Sequence, residues 1–190
     1  MFAVHRSTRR VPQGLDDLGD RMIIVREFSR ELVKQSPFDS GEASLDDWLR
    51  EQAGQQDRRN GVRTLLGADE AEVRIAGYFS TVAYELAPED AGETFGRTPR
   101  YPIPAVLLAR LAVDKDYQGS GIGRLLLFDA LSRLEGASHN IGFEVVVVDA
   151  LKEQAACFYL KYGFRRFADH ELKLYLTTKD LRATFAANST

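Results

Sequence analysis

A chain of 190 residues with 44% hydrophobic and 28% charged side chains has the composition of one globular domain, not of a disordered or fibrous protein. Its net charge of −3 and pI near 5.7 exclude a generally basic nucleic-acid binder and leave only a local patch for that role. No apolar run approaches the roughly 20 residues that span a bilayer, the basic start leads into no apolar h-region, and one cysteine, Cys157, allows no disulfide within the monomer; the expected setting is a reducing cytoplasm.

Residues 1–20 read as a loose leader punctuated by Pro12, Gly14 and Gly19, and residues 22–25 as a first strand. After a turn at Pro37-Phe38-Asp39-Ser40-Gly41, Ser44 is the expected cap of a helix that carries Leu45, Trp48 and Leu49 on one face and runs to Asp57. Strands are expected over 62–68 and 73–84, then a long connection over 86–103, then a Val- and Leu-rich strand over 105–113. A helix over 121–135 places Leu126, Leu127, Ala130, Leu131 and Leu134 at helical spacing, with Gly136 as its stop. The four valines within 143–148 suit a strand buried on both faces. A second helix over 151–162 and a hairpin of 165–167 with 172–176 complete a domain spanning 21–180, with 181–190 as a tail. Strands alternating with helices in the second half give an α/β (α+β) class.

The chemistry concentrates in Gln118-Gly119-Ser120-Gly121-Ile122-Gly123, which follows a strand and opens an amphipathic helix. Glycines let the backbone approach a ligand without Cβ interference. Their N–H groups, with the partial positive charge of a helix start, make an anion site. The spacing is neither the dinucleotide G-x-G-x-x-G nor a P-loop. Physics alone therefore gives phosphate or pyrophosphate and does not name the molecule.

These residues match the Q/R-x-x-G-x-G/A pattern of the GNAT N-acetyltransferases, and the chain resembles that family. The resemblance implies one GNAT-type domain with a mixed central sheet flanked by helices, and acetyl-CoA as co-substrate. It implies that Gln118, Gly119, Ser120, Gly121, Ile122, Gly123 and Arg124 hold the pyrophosphate. Leu111, Ala112 and Val113 would then bind the pantetheine arm and offer an N–H to the thioester oxygen.

Four segments are similar to the acetyltransferase toxins of type II toxin–antitoxin modules, which acetylate aminoacyl-tRNA. They are Phe38-Asp39-Ser40-Gly41 with Leu45-Asp46-Asp47-Trp48-Leu49; Gly77-Tyr78-Phe79-Ser80; Ala109-Arg110-Leu111-Ala112-Val113-Asp114; and Val148-Asp149-Ala150 with Ala155-Ala156-Cys157-Phe158-Tyr159 and Gly163-Phe164. Ser40 stands where Cys is common, and many such toxins are more basic. The resemblance implies aminoacyl-tRNA as substrate, blocked translation, and a small antitoxin as partner; a homodimer is kept as an open expectation. A housekeeping acetyltransferase for a small or protein amine is the alternative.

Tyr159 falls on the tyrosine that, by the resemblance, protonates the leaving thiolate. A phenol near pKa 10 facing a thiol near 8.5 is workable for an acid. On the residues alone it reads as a core aromatic beside Phe158 and Tyr162. Cys157 has no histidine partner in view and reads as a small buried thiol on a helix; no cluster has metal-ligand spacing, so no metal is expected. An aminoacyl ester amine is substantially neutral at cellular pH, so a base need not be prominent, and Glu85 or another carboxylate is the candidate if the fold places it well. For the RNA, Arg58, Arg59, Arg97, Arg100 and Arg110 are the candidate contacts, if they converge in space.

Overall fold

The computed structural model describes residues 22–96 and 99–187. Among these, one seven-stranded sheet is built from β1 (Ile23–Glu27), β2 (Arg63–Asp69), β3 (Arg74–Leu86), β4 (Ile103–Val113), β5 (Val145–Asp149), β6 (Arg165–Arg166) and β7 (Lys173–Thr177), in the order β1-β2-β3-β4-β5-β7-β6. Every neighbouring pair is antiparallel except β4 with β5. The helices are α1 (Arg30–Gln35), α2 (Ala43–Asp47), α3 (Ala53–Arg58), α4 (Pro88–Ala91), α5 (Ile122–Ser138), α6 (Glu153–Leu160) and α7 (Thr178–Ala187). This is the mixed sheet flanked by helices that the sequence leads one to expect.

Side-chain alternation along the strands gives the sheet two covered faces. On one, α5 lays Leu126, Leu127 and Ala130 against Phe79, Leu108, Val146, Val148 and Leu174, with Tyr159 of α6 in the same cluster. On the other, Leu32, Val33, Trp48, Leu49 and Ala53 of the first helices cover Leu66, Ile75, Tyr78 and Ala112. That same face continues through Leu86, Ile103, Val145, Val147 and Tyr175. The valines of β5 thus serve both layers. Gly77 sets how closely α5 can lie: a Cβ there would meet Ala112 O at 2.6 Å and Leu126 Cδ1 at 2.7 Å.

Several boundaries differ from the sequence reading, each for a local reason. The helix expected after a Ser44 cap starts two residues earlier, with Glu42 rather than Ser44 in the cap position, and a π-helical turn over Trp48–Gln52 separates α2 from α3. Gly136 does not end α5, which continues to Ser138. Arg182 of α7 reaches the end of α5 and donates to Ser138 O at 2.6 Å and Ser138 Oγ at 2.9 Å, satisfying acceptors that a stop signal would otherwise address. Residues 181–187 are therefore not tail but helix, with Leu181 buried and Phe185 packed on Phe128. Helix α1, capped by Ser29 through Leu32 N–H, was not legible at all, because only Leu32 and Val33 mark its buried side. The expected leader over 1–20 lies outside the described residues.

Two irregularities of β4 open the site. Ser80 pairs with Arg110 but Thr81 with Leu108, so Ala109 bulges and the alternation inverts there. The β4–β5 pairing covers only Ala105–Leu107 against Val145–Val147. Beyond that point the two parallel strands diverge.

Candidate active site

The divergence leaves a cleft of about 880 Å³ lined by β4 from Leu108 to Val113, by Gly119, Gly121, Gly123 and Arg124, by Asp149 and Ala150, and by Phe158 and Tyr159. Along β4, Asp114 N–H donates to Ala76 O of β3 at 3.0 Å, while Val113 O faces the other way and accepts from Gln118 Nε2 at 3.0 Å. Alternation then turns the backbone groups of Leu111 and Val113 toward the cleft and those of Ala112 toward β3. With β5 gone from that side, Leu111 presents its N–H to whatever occupies the cleft.

The glycine loop closes one end. Gly119 and Gly121 sit at φ +78° and +88°, left-handed values that other residues reach at a cost of about 1–2 kcal/mol. Gly121 caps α5, so the first N–H groups of that helix are unclaimed by its own carbonyls. Gly123 is helical, and a Cβ there would rest at an ordinary 3.6 Å from Phe158. The loop fits an anion: open backbone donors, a helix start and exposed Arg124 converge on the cleft.

Not every residue of the motif faces inward. Gln118 spends its amide on Ser40 O at 2.9 Å and Val113 O, so it braces the loop. Ser120 Oγ donates to Tyr117 O at 2.5 Å and Ile122 is fully buried; neither side chain lines the cleft. The same bracing extends to the Phe38–Gly41 turn. Asp39 N–H donates to the buried Asp114 carboxylate at 3.0 Å, Lys115 pairs with Asp39 at 3.0 Å, and Ser40 Oγ donates to Asp46 at 2.6 Å. Serine at position 40 thus keeps a hydrogen bond that ties the turn to α2.

Tyr159 lines the cleft from α6 and is 6% exposed. Phe158 and Phe164 meet its ring edge-on at 5.3 and 5.5 Å, and burial pushes its phenol well above the usual tyrosine range. Tyr162 also lines the cleft but is 37% exposed. Cys157 is not the buried thiol expected: it is exposed on the outer side of α6 and donates to Glu153 one turn earlier; among the described residues no group of His, Cys, Asp and Glu could hold a metal ion.

Of the four candidate arginines among the described residues, only Arg110 enters the cleft. Its guanidinium lies 4.0 Å over the Trp48 ring, which stacks on Tyr78 at 5.9 Å. Burial pulls its pKa down, offset in part by Tyr78. Arg58 and Arg59 stand exposed at the end of α3, and Arg100 covers Tyr101 on the 86–103 connection; these are not brought to the cleft. Arg97 lies outside the described residues. Sequence reasoning missed the Arg110–Trp48–Tyr78 stack, because the Ala109 bulge decides which face Arg110 takes, and it left Asp149 without a role.

Comparison with known proteins agrees with this geometry. An acetyltransferase (GNAT) domain model matches residues 68–166. A tRNA-acetylating toxin of Mycobacterium tuberculosis is 37% identical over 146 residues, covering 77% of this chain and 87% of that protein. The structure of AtaT complexed with acetyl-methionyl-tRNA superposes with a TM-score of 0.75 at 26% identity, over 86% of this chain and 99% of that one. A mutant AtaT toxin bound to the C-terminus of the antitoxin AtaR and acetyl-CoA superposes with a TM-score of 0.71 at 25% identity, over 86% and 98%. The splayed strands, the glycine loop at a helix start and these matches together mean that the chain belongs to the GNAT acetyltransferase family.

Proposed function

We propose that this protein is a toxin that transfers acetyl from acetyl-CoA to the α-amine of aminoacyl-tRNA and so blocks translation. The observation that carries the reading is the cleft between β4 and β5, closed by an anion-binding loop at one end and holding Tyr159 on its wall. The named activities of the relatives above support it, and a small antitoxin as partner follows from the same kinship. Acetyl-CoA and charged tRNA are cytoplasmic, which places the reaction there.

The residues divide the work. Backbone N–H groups at Gly119, Gly121, Gly123 and the adjoining turn of α5 would hold the pyrophosphate of acetyl-CoA, with Arg124 beside them. The N–H of Leu111 is placed to steady oxygen charge on the carbonyl under attack. Acetyl-CoA supplies an activated acyl group. Tyr159, kept protonated by burial, hydrogen-bonds the sulfur and gives up its proton as the C–S bond breaks. Arg110, desolvated and held by Trp48, supplies a candidate tRNA-facing cation inside the cleft.

The test is competitive. Labelled acetyl-CoA is offered together with charged tRNA, deacylated tRNA and free amines. Label in charged tRNA alone supports the proposal; label in free amines with none in charged tRNA favours the housekeeping alternative.

A further inference from the structure

Tyr159 supplies a proton to the departing sulfur, and the attacking amine needs an acceptor for its own. Asp149 stands where one is needed. It is the last residue of β5, two beyond Val147, the last β5 residue paired with β4. Continuing that register sets it opposite the Ala109 bulge, at the narrow end of the gap. Alternation puts its side chain on the face of Val145 and Val147, whereas Tyr159 belongs to the cluster on the opposite face. The cleft therefore has a phenol on one side of the sheet and a carboxylate on the other.

The carboxylate is accessible and charged neighbours hold it in place. Its side chain is 56% exposed, and Lys173, itself only 14% exposed, contacts Oδ1 at 3.5 Å. Lys173 divides its charge, meeting Asp90 at 3.5 Å and the Tyr84 hydroxyl at 3.4 Å, so Asp149 is not neutralised by a dedicated partner. The other acidic residue on the cleft wall, Glu42, is ion-paired with Lys152. On the same face as Asp149, across the gap, lies Arg110. An aminoacyl ester is complementary to that pair: its amine suits the carboxylate, and its ester or terminal phosphate suits the guanidinium.

We infer that Asp149 is a further catalytic residue, which receives the acceptor amine and takes its proton as the amide forms. This rests on the cleft being the acyl-transfer site. The amine nitrogen attacks the thioester carbonyl; the C–N bond forms and the C–S bond breaks. Nitrogen becomes strongly acidic as it acquires the new bond, and its proton passes to Asp149. Sulfur takes the Tyr159 proton and leaves as a thiol. Solvent then reprotonates the phenolate and deprotonates the carboxylic acid, restoring both groups.

Asp149→Asn keeps the shape and the Lys173 contact atom while removing the base. Turnover is measured with two acceptors, charged tRNA and an amino-acid methyl ester that lacks RNA, and acetyl-CoA affinity by calorimetry. The expected result is a loss of about 10²-fold or more in kcat on both acceptors, unchanged acetyl-CoA affinity, and partial recovery in Asp149→Glu. Turnover near wild type in Asp149→Asn overturns the inference. So does a parallel loss of acetyl-CoA affinity, which would make Asp149 only the structural partner of Lys173. If the wild type acetylates the ester and ignores charged tRNA, the tRNA reading fails while the Asp149 comparison still stands on the ester.

Discussion

Replacing Tyr159 with Phe removes one oxygen from a side chain that is 6% exposed. Among the described residues that hydroxyl has no protein hydrogen bond, so no buried partner is stranded, and the ring keeps its contacts with Phe158 and Phe164. Stability should change by less than about 1 kcal/mol, which for a domain of this size moves Tm by no more than about 2–4 °C. Catalysis should respond on a different scale. A lost acid costs roughly 10²–10⁴-fold in turnover, or about 2.7–5.4 kcal/mol of activation free energy. The assay pairs thermal melting and acetyl-CoA calorimetry with the rate of thiol release. Near-wild-type turnover would refute the acid role and leave Tyr159 a core aromatic; a large drop in Tm would show that the hydroxyl is structural.

Three more perturbations probe other parts of the account. Gly121→Glu forces a side chain into φ +88° and sets a negative charge at an anion site, so calorimetry should show acetyl-CoA binding abolished. Gly123→Ala, whose Cβ finds ordinary contacts, should bind far better, and equal affinities in the two variants would contradict the loop assignment. Gly77→Ala must displace Ala112 O or Leu126; overpacking of about 1–3 kcal/mol should lower Tm by roughly 2–12 °C, and an unchanged melt would show that α5 gives way freely. Tyr78 and Tyr159 both have phenols pushed up by burial. The folded state then holds more protons than the unfolded one above about pH 10. Stability should be complete below that pH and fall above it by up to about 1.4 kcal/mol per pH unit for each phenol. Urea melts across pH 8–12 that stay flat would rule this out.

The glycine loop was legible because left-handed φ at a helix start leaves a direct mark on residue type at positions 119 and 121. The buried strand β5 was legible from four adjacent valines, and α5 from its apolar stripe. What escaped the sequence were consequences of tertiary contact. The Ala109 bulge has no compositional signature, yet it turns Arg110 onto Trp48 and onto the face that Asp149 shares. Gly136 looks like a stop until Arg182, 46 positions later, caps the helix beyond it. Gln118 matches its motif position, but its amide is committed to Ser40 and Val113, which no spacing rule reveals. Asp149 closes the valine run as a lone charge at a strand end, a signal that was present but could not be weighed without knowing where β4 and β5 part.

The central claim concerns one bond, an amide on the α-nitrogen of an amino acid still esterified to tRNA. The purified protein is incubated with acetyl-CoA and charged tRNA, the RNA is digested with nuclease, and the 3′-terminal nucleosides are weighed by mass spectrometry. The account predicts aminoacyl-adenosine heavier by one acetyl group, formed by wild type and greatly reduced in Tyr159→Phe. Recovery of only unmodified aminoacyl-adenosine, from enzyme that binds acetyl-CoA and acetylates a free amine, would contradict it.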